Sequence, residues 1–103
     1  MEFLDVPGAS GTQYRFRRAS LADLPSTAGN VVVVTGEPPR TRFRLCAATH
    51  SLSGAGPQIQ AAVREVRGAR VFVRLNVARA VREAEHADIV AAVRPDAELP
   101  ELA

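Results

Sequence analysis

Apolar and polar positions change their spacing several times along the chain, and each change marks an element. Val31 to Val34 form an unbroken β-branched run, which suits a strand covered on both faces. Gly36-Glu37-Pro38-Pro39 interrupts it, because proline lacks a ladder donor and glycine accepts turn dihedrals. From Arg40 the order alternates, with Arg40, Arg42 and Arg44 on one side and Thr41, Phe43 and Leu45 on the other. A two-residue period predicts a strand with one solvated and one packed face. The stretch 29–49 therefore reads as a hairpin around which the rest of the chain gathers.

The same alternation recurs in Gln13 to Arg18, where Tyr14 and Phe16 oppose Arg15 and Arg17. It recurs again in Arg70 to Leu75, where Val71, Val73 and Leu75 oppose Arg70, Phe72 and Arg74. Both are predicted strands. Residues 1–11 end in Pro7-Gly8-Ala9-Ser10-Gly11 and read as a loop or turn. Ser20 to Leu24 makes a helical turn before Pro25, with Leu21 and Leu24 capping one end of the core. Pro57 opens a short helix, on which Ile59, Ala62, Val63 and Val66 share one face, and Gly68 is suited to close it. A second helix runs from the N-cap Asn76 to about Val93. Val77, Val81, Ala84 and Ala91 form its expected packing stripe, with Ile89, Val90 and Val93 widening it near the end. Arg79, Arg82, Glu83 and Glu85 fall on its wetter faces, Arg79 and Glu83 at i, i+4 spacing. Arg94-Pro95 stops it, leaving an acidic tail at 96–103. The predicted order is β-β-β-α-β-α, an α+β domain with a small, largely antiparallel sheet flanked by helices.

Composition narrows the class without naming a chemistry. At 103 residues, 47% hydrophobic and 23% charged, the chain fits one globular domain spanning 1–103, with its core at about 11–95. Cys46 is the single cysteine, which excludes an intramolecular disulfide and a cysteine-rich zinc site. In a predicted strand it reads as a buried structural thiol. No apolar run has the length of a membrane span. The first ten residues lack the basic-then-apolar pattern of a signal peptide, so a cytoplasmic location is expected. All thirteen basic residues are arginine, yet the net charge is only +2.

The hairpin opening Gly29-Asn30-Val31, the segment Leu45-Cys46-Ala47-Ala48-Thr49-His50-Ser51-Leu52, and Arg67-Gly68-Ala69-Arg70 followed by a strand and Asn76 share an order. A helix carrying Ala87-Asp88-Ile89 before Arg94-Pro95 completes it. Over roughly residues 11–98 this order and spacing resemble the GIY-YIG nuclease superfamily. That resemblance implies a site of two tyrosines, an arginine and a metal-binding glutamate for phosphodiester hydrolysis. The tyrosine positions fall at Val31 and Leu45, and the second motif's glycine at Ala47. The arginine position falls among Gly54, Ala55 and Gly56. The glutamate position falls at His86, and the closing asparagine near Glu98. Without those hydroxyls and that carboxylate, nothing activates water or holds a hard metal, and histidine is a poor magnesium ligand. The resemblance thus implies a catalytically degenerate, GIY-YIG-like interaction module without a cofactor.

Outside these positions, Glu85 or Asp88 offers a relocated carboxylate for a weak metal-dependent endonuclease, the alternative reading. As helix neighbours they point well away from position 86. His50 and His86, the only histidines, lack a metal-ligand spacing. Arg15, Arg17, Arg40, Arg42, Arg44, Arg70 and Arg74 lie in or beside predicted strands. If their faces coincide they form a basic sheet surface for phosphates. Scarce aromatics argue against a stacking site. The expected partners are thus nucleic acid held weakly, a protein, or a second copy of the chain, and no membrane.

Overall fold

A computed structural model describes residues 2–102. The elements run β1 (Phe3–Pro7), β2 (Gln13–Ala19), a 3-10 turn (Leu21–Asp23), β3 (Gly29–Thr35), β4 (Arg42–Thr49), α1 (Gly56–Arg64), β5 (Arg70–Leu75), α2 (Arg79–Val93) and β6 (Ala97–Leu102). All six strands join one sheet in the order β1-β2-β5-β3-β4-β6. Every pairing is antiparallel except β4 with β6. The fold is the α+β class that the alternating segments predict.

β3 holds the centre because its valines leave no polar face to turn outward. Val31, Val32, Val33 and Val34 are each at most 1% exposed, and the strand is laddered to β4 on one side and β5 on the other. Its pleat divides the core into two layers. Val32 and Val34 join Leu4, Val6, Phe16, Cys46 and Phe72 beneath α2, which contributes Ile89. Val31 and Val33 join Leu45, Leu52, Val71 and Val73 beneath α1, which contributes Ile59. Leu21 and Leu24 pack against the α1 layer, as their spacing predicts.

Two strands escape the sequence reading. The spacing predicts no strand before Gln13, yet Phe3–Pro7 is one, with Leu4 and Val6 buried while Phe3 and Asp5 face outward. The expected acidic tail contains β6, with Pro100 inside it. An edge strand tolerates proline, since one side of its backbone has no ladder partner. The element order is therefore β-β-β-β-α-β-α-β, with the 3-10 turn after the second strand.

Two packing expectations are also corrected. The register between β3 and β4 shifts between Val33 and Val34, so that Leu45 faces Val33 and Phe43 faces Val34. Arg44 is the extra residue of this bulge, and an extra residue reverses the alternation beyond it. Phe43 therefore packs on the α2 layer and Leu45 in the α1 layer, not on one common face.

The second correction concerns α2. Val77 and Val81 are 77% and 48% exposed, and Ala84 and Ala91 are exposed too. The helix faces the sheet with Arg82, His86 and Ile89, flanked by half-buried Val90 and Val93. Ile89, Val90 and Val93 cluster at the C-terminal end of the helix, and together they set its facing. Tracing that face back by helical turns meets His86 and Arg82 rather than the valines. The polar groups brought inside are compensated. Arg82 Nη1 donates to the carbonyls of Asn76 (3.1 Å) and Val77 (2.8 Å). Asn30 Nδ2 donates to the Arg82 carbonyl at 3.1 Å. Asn76 is not the N-cap, which is Ala78. Its amide instead donates to Asn30 Oδ1 and Glu85 Oε1, both at 2.9 Å.

Gly68 has the expected positive φ of 79°, although α1 ends earlier, at Arg64. Arg94 ends α2 in the left-handed region at φ 47°, immediately before Pro95. No helix among the described residues is long and apolar enough to cross a membrane.

Candidate functional site

Four of the positions matched to the nuclease motifs come together, and they do so inside the core. Val31, Leu45, Ala47 and Ala55 lie in the layer beneath α1 and are each at most 4% exposed. Gly29 explains how tightly this region closes: a Cβ there would sit 2.5 Å from the Arg74 carbonyl and 3.0 Å from a Leu52 methyl. His86 belongs to α2 and the other layer, so it does not meet the other four. Its Nε2 lies 2.8 Å from Glu98 Oε2. This pair lines a groove of about 450 Å³ between α2 and β6, together with Ala48, Ala87, Val90 and Pro100.

The two alternative carboxylates are already engaged. Glu85 Oε1 accepts from Arg74 Nε at 2.9 Å as well as from Asn76. Asp88 accepts from the Ser10 backbone (2.9 Å), the Ser10 hydroxyl (2.6 Å) and the Tyr14 hydroxyl (2.7 Å). Those donors, the Ser10 hydroxyl first, hold the Asp88 carboxyl below its ordinary range. A Cβ at Gly8 would run into this carboxylate, so glycine lets the β1–β2 loop close over it. Among the described residues, no three His, Cys, Asp or Glu side chains are grouped to hold a metal. Cys46 is 1% exposed, and burial, with a smaller contribution from the Glu98 charge, pushes its thiol up to about 12. Such a thiol packs and does not attack.

The seven candidate arginines do not share a face. Arg70 and Arg74 alternate with Val71 and Val73 and lie on the α2 side with Phe72. Arg15 and Arg17 alternate with the α2-side residues Tyr14 and Phe16, so they project from the opposite side of the sheet. Five of the seven meet an acid. Arg15 pairs with Asp5 at 3.0 Å, and Arg42 and Arg44 each reach Asp96 at 3.1 Å. Arg70 pairs with Glu37 and Arg74 with Glu85, each at 2.9 Å. Arg17 and Arg40 are exposed and have no acidic partner among the described residues.

A feature that the sequence reading misses lies beside Arg17. β1 carries Phe3 directly opposite it in the register. The Arg15 guanidinium lies over the Phe3 ring, 5.3 Å from its centroid. Phe3 and Leu75 are 46% and 55% exposed, and both line a hollow of about 260 Å³ with Arg15 and Arg17. The signal was the alternation of Phe3-Leu4-Asp5-Val6, masked by an aromatic on its polar side.

No protein-family model, curated protein or solved structure matches the chain.

Proposed function

We propose that the protein is a non-catalytic interaction module, built on a GIY-YIG-like order of elements, that binds polyanions weakly through a few free arginines. The observation that carries this reading is the burial of Val31, Leu45, Ala47 and Ala55 in an apolar layer. A phosphodiester and its attacking water cannot reach such positions, and no side chain there offers a hydroxyl, a charge or a metal ligand. The engagement of Glu85 and Asp88 in structural hydrogen bonds removes the nearest substitutes. Binding is weak because most strand arginines are spent on acids, and each phosphate neutralised on duplex DNA adds only about 0.9 to the salt slope.

The test combines cleavage and binding. Labelled DNA and RNA incubated with the protein and magnesium or manganese are expected to stay intact. Metal-dependent cleavage that disappears on Glu85→Gln or Asp88→Asn, with the fold preserved, would overturn the non-catalytic reading. Binding to the same oligonucleotides is expected at low salt and lost as salt rises. No binding even at low salt would overturn the polyanion reading.

A further inference from the structure

We propose that the bare corner of the sheet formed by β1, β2 and β5 is a binding site for single-stranded nucleic acid, with a base stacked on Phe3 and a backbone phosphate on Arg17. The inference rests on the polyanion reading and names its site.

The corner is left open because α1 packs over β3, β4 and the 3-10 turn. Phe3 and Leu75 are consequently left among the most exposed large apolar side chains of the described residues. They share the hollow with Arg15 and Arg17. Arg15 makes two hydrogen bonds to Asp5, of 3.0 and 3.3 Å, so its charge is balanced while its guanidinium covers one face of the Phe3 ring, leaving the other face and the outer side of the guanidinium to a base. Arg17 carries the uncompensated charge of the corner and has no partner among the described residues.

These chemistries together select the occupant. An exposed ring and a fixed guanidinium offer flat surfaces to a base, which every nucleobase can use, so the site tolerates sequence. One uncompensated arginine suits one phosphate of a flexible strand. In a duplex the base faces are already stacked, so Phe3 has nothing to receive, and a sulfated sugar polymer has no aromatic face at all. Single strands are therefore favoured over either. Their salt dependence is shallow, about 0.7 for each phosphate held.

Fluorescence anisotropy with the full chain and a short labelled single-stranded DNA at low salt tests the site, with the matching duplex and heparin as comparators. The single strand is expected to bind tightest. Phe3→Ala is expected to weaken it about tenfold, in line with the loss of one stacked base. Phe3→Leu keeps the apolar contacts of β1 but not the aromatic face, and is expected to weaken it similarly even if the alanine variant fails to fold. Phe3→Tyr is expected to bind as the native chain does. Arg17→Gln is expected to lower the salt slope by about 0.7. Native-like binding by a folded Phe3→Leu variant would overturn the site while leaving the polyanion reading standing. Equal affinity for duplex and single strand would do the same. No binding of any polyanion at low salt would overturn both.

Discussion

The Tyr14 hydroxyl donates a 2.7 Å hydrogen bond to Asp88 Oδ2, tying β2 to α2. The same bond, with a contribution from burial, raises the Tyr14 hydroxyl above its ordinary 10.0. Ser10 and then Tyr14 lower the Asp88 carboxyl below its ordinary 3.8. A depressed carboxyl stabilises the fold above its unfolded value, and that contribution is lost as pH falls through the folded value. Urea midpoints of the native chain and Asp88→Asn should therefore differ at neutral pH and converge below pH 3.8. At the alkaline end, the Tyr14 contribution is present below 10.0 and is lost as pH rises through its raised value. Midpoints that differ equally at all pH values would show that the carboxylate charge is irrelevant.

Two valines separate the observed packing from the one that periodicity suggests. Val33 is fully buried and Val81 is 48% exposed. Val33→Asp buries an unpaired carboxylate, at a cost of several kcal/mol. That is a large part of a typical stability of about 5–15 kcal/mol, so the variant should be largely unfolded by circular dichroism. Val81→Asp should stay within about 0.5 kcal/mol of the native chain. Comparable damage from both would mean that α2 faces the sheet with Val81 after all.

Arg82 is the charged residue that the core has to satisfy. Arg82→Met keeps the aliphatic stem but removes the donors to the carbonyls of Asn76 and Val77. A loss of about 1–3 kcal/mol is expected, read from urea unfolding. Arg79 pairs with Glu83 on the exposed face of the same helix, and Arg79→Met should cost at most about 0.5 kcal/mol. Equal losses would show that the guanidinium of Arg82 does no more than a surface charge.

The central strands were legible because burial on two faces and burial on one leave different spacings. Val31–Val34, Tyr14/Phe16 and Val71/Val73 could each be assigned from sequence alone. β1 and β6 were hidden for separate reasons. In β1, Phe3 breaks the apolar-in, polar-out pattern; in β6, proline and two glutamates resemble a tail. The facing of α2 depended on which of two apolar stripes met the sheet, and only tertiary contacts decide that. The bulge at Arg44 leaves no mark in the spacing, since a bulge is visible only against its partner strand. Of the candidate site, the alternation marks the arginines only one by one. Their division between two faces, and their neutralisation by Asp5, Glu37, Glu85 and Asp96, required the register. Phe3 is as inconspicuous in the sequence as the strand that carries it.

The sheet order has a mechanical consequence. The chain enters the sheet along one outer strand, β1, and leaves it along the other, β6. Five interstrand spacings, about 24 Å in all, lie between them. Force applied through the two ends would load β1 and β6 first, while the central strands stay clamped between neighbours. The first and last strands are thus held at opposite edges of one sheet, separated by its full width.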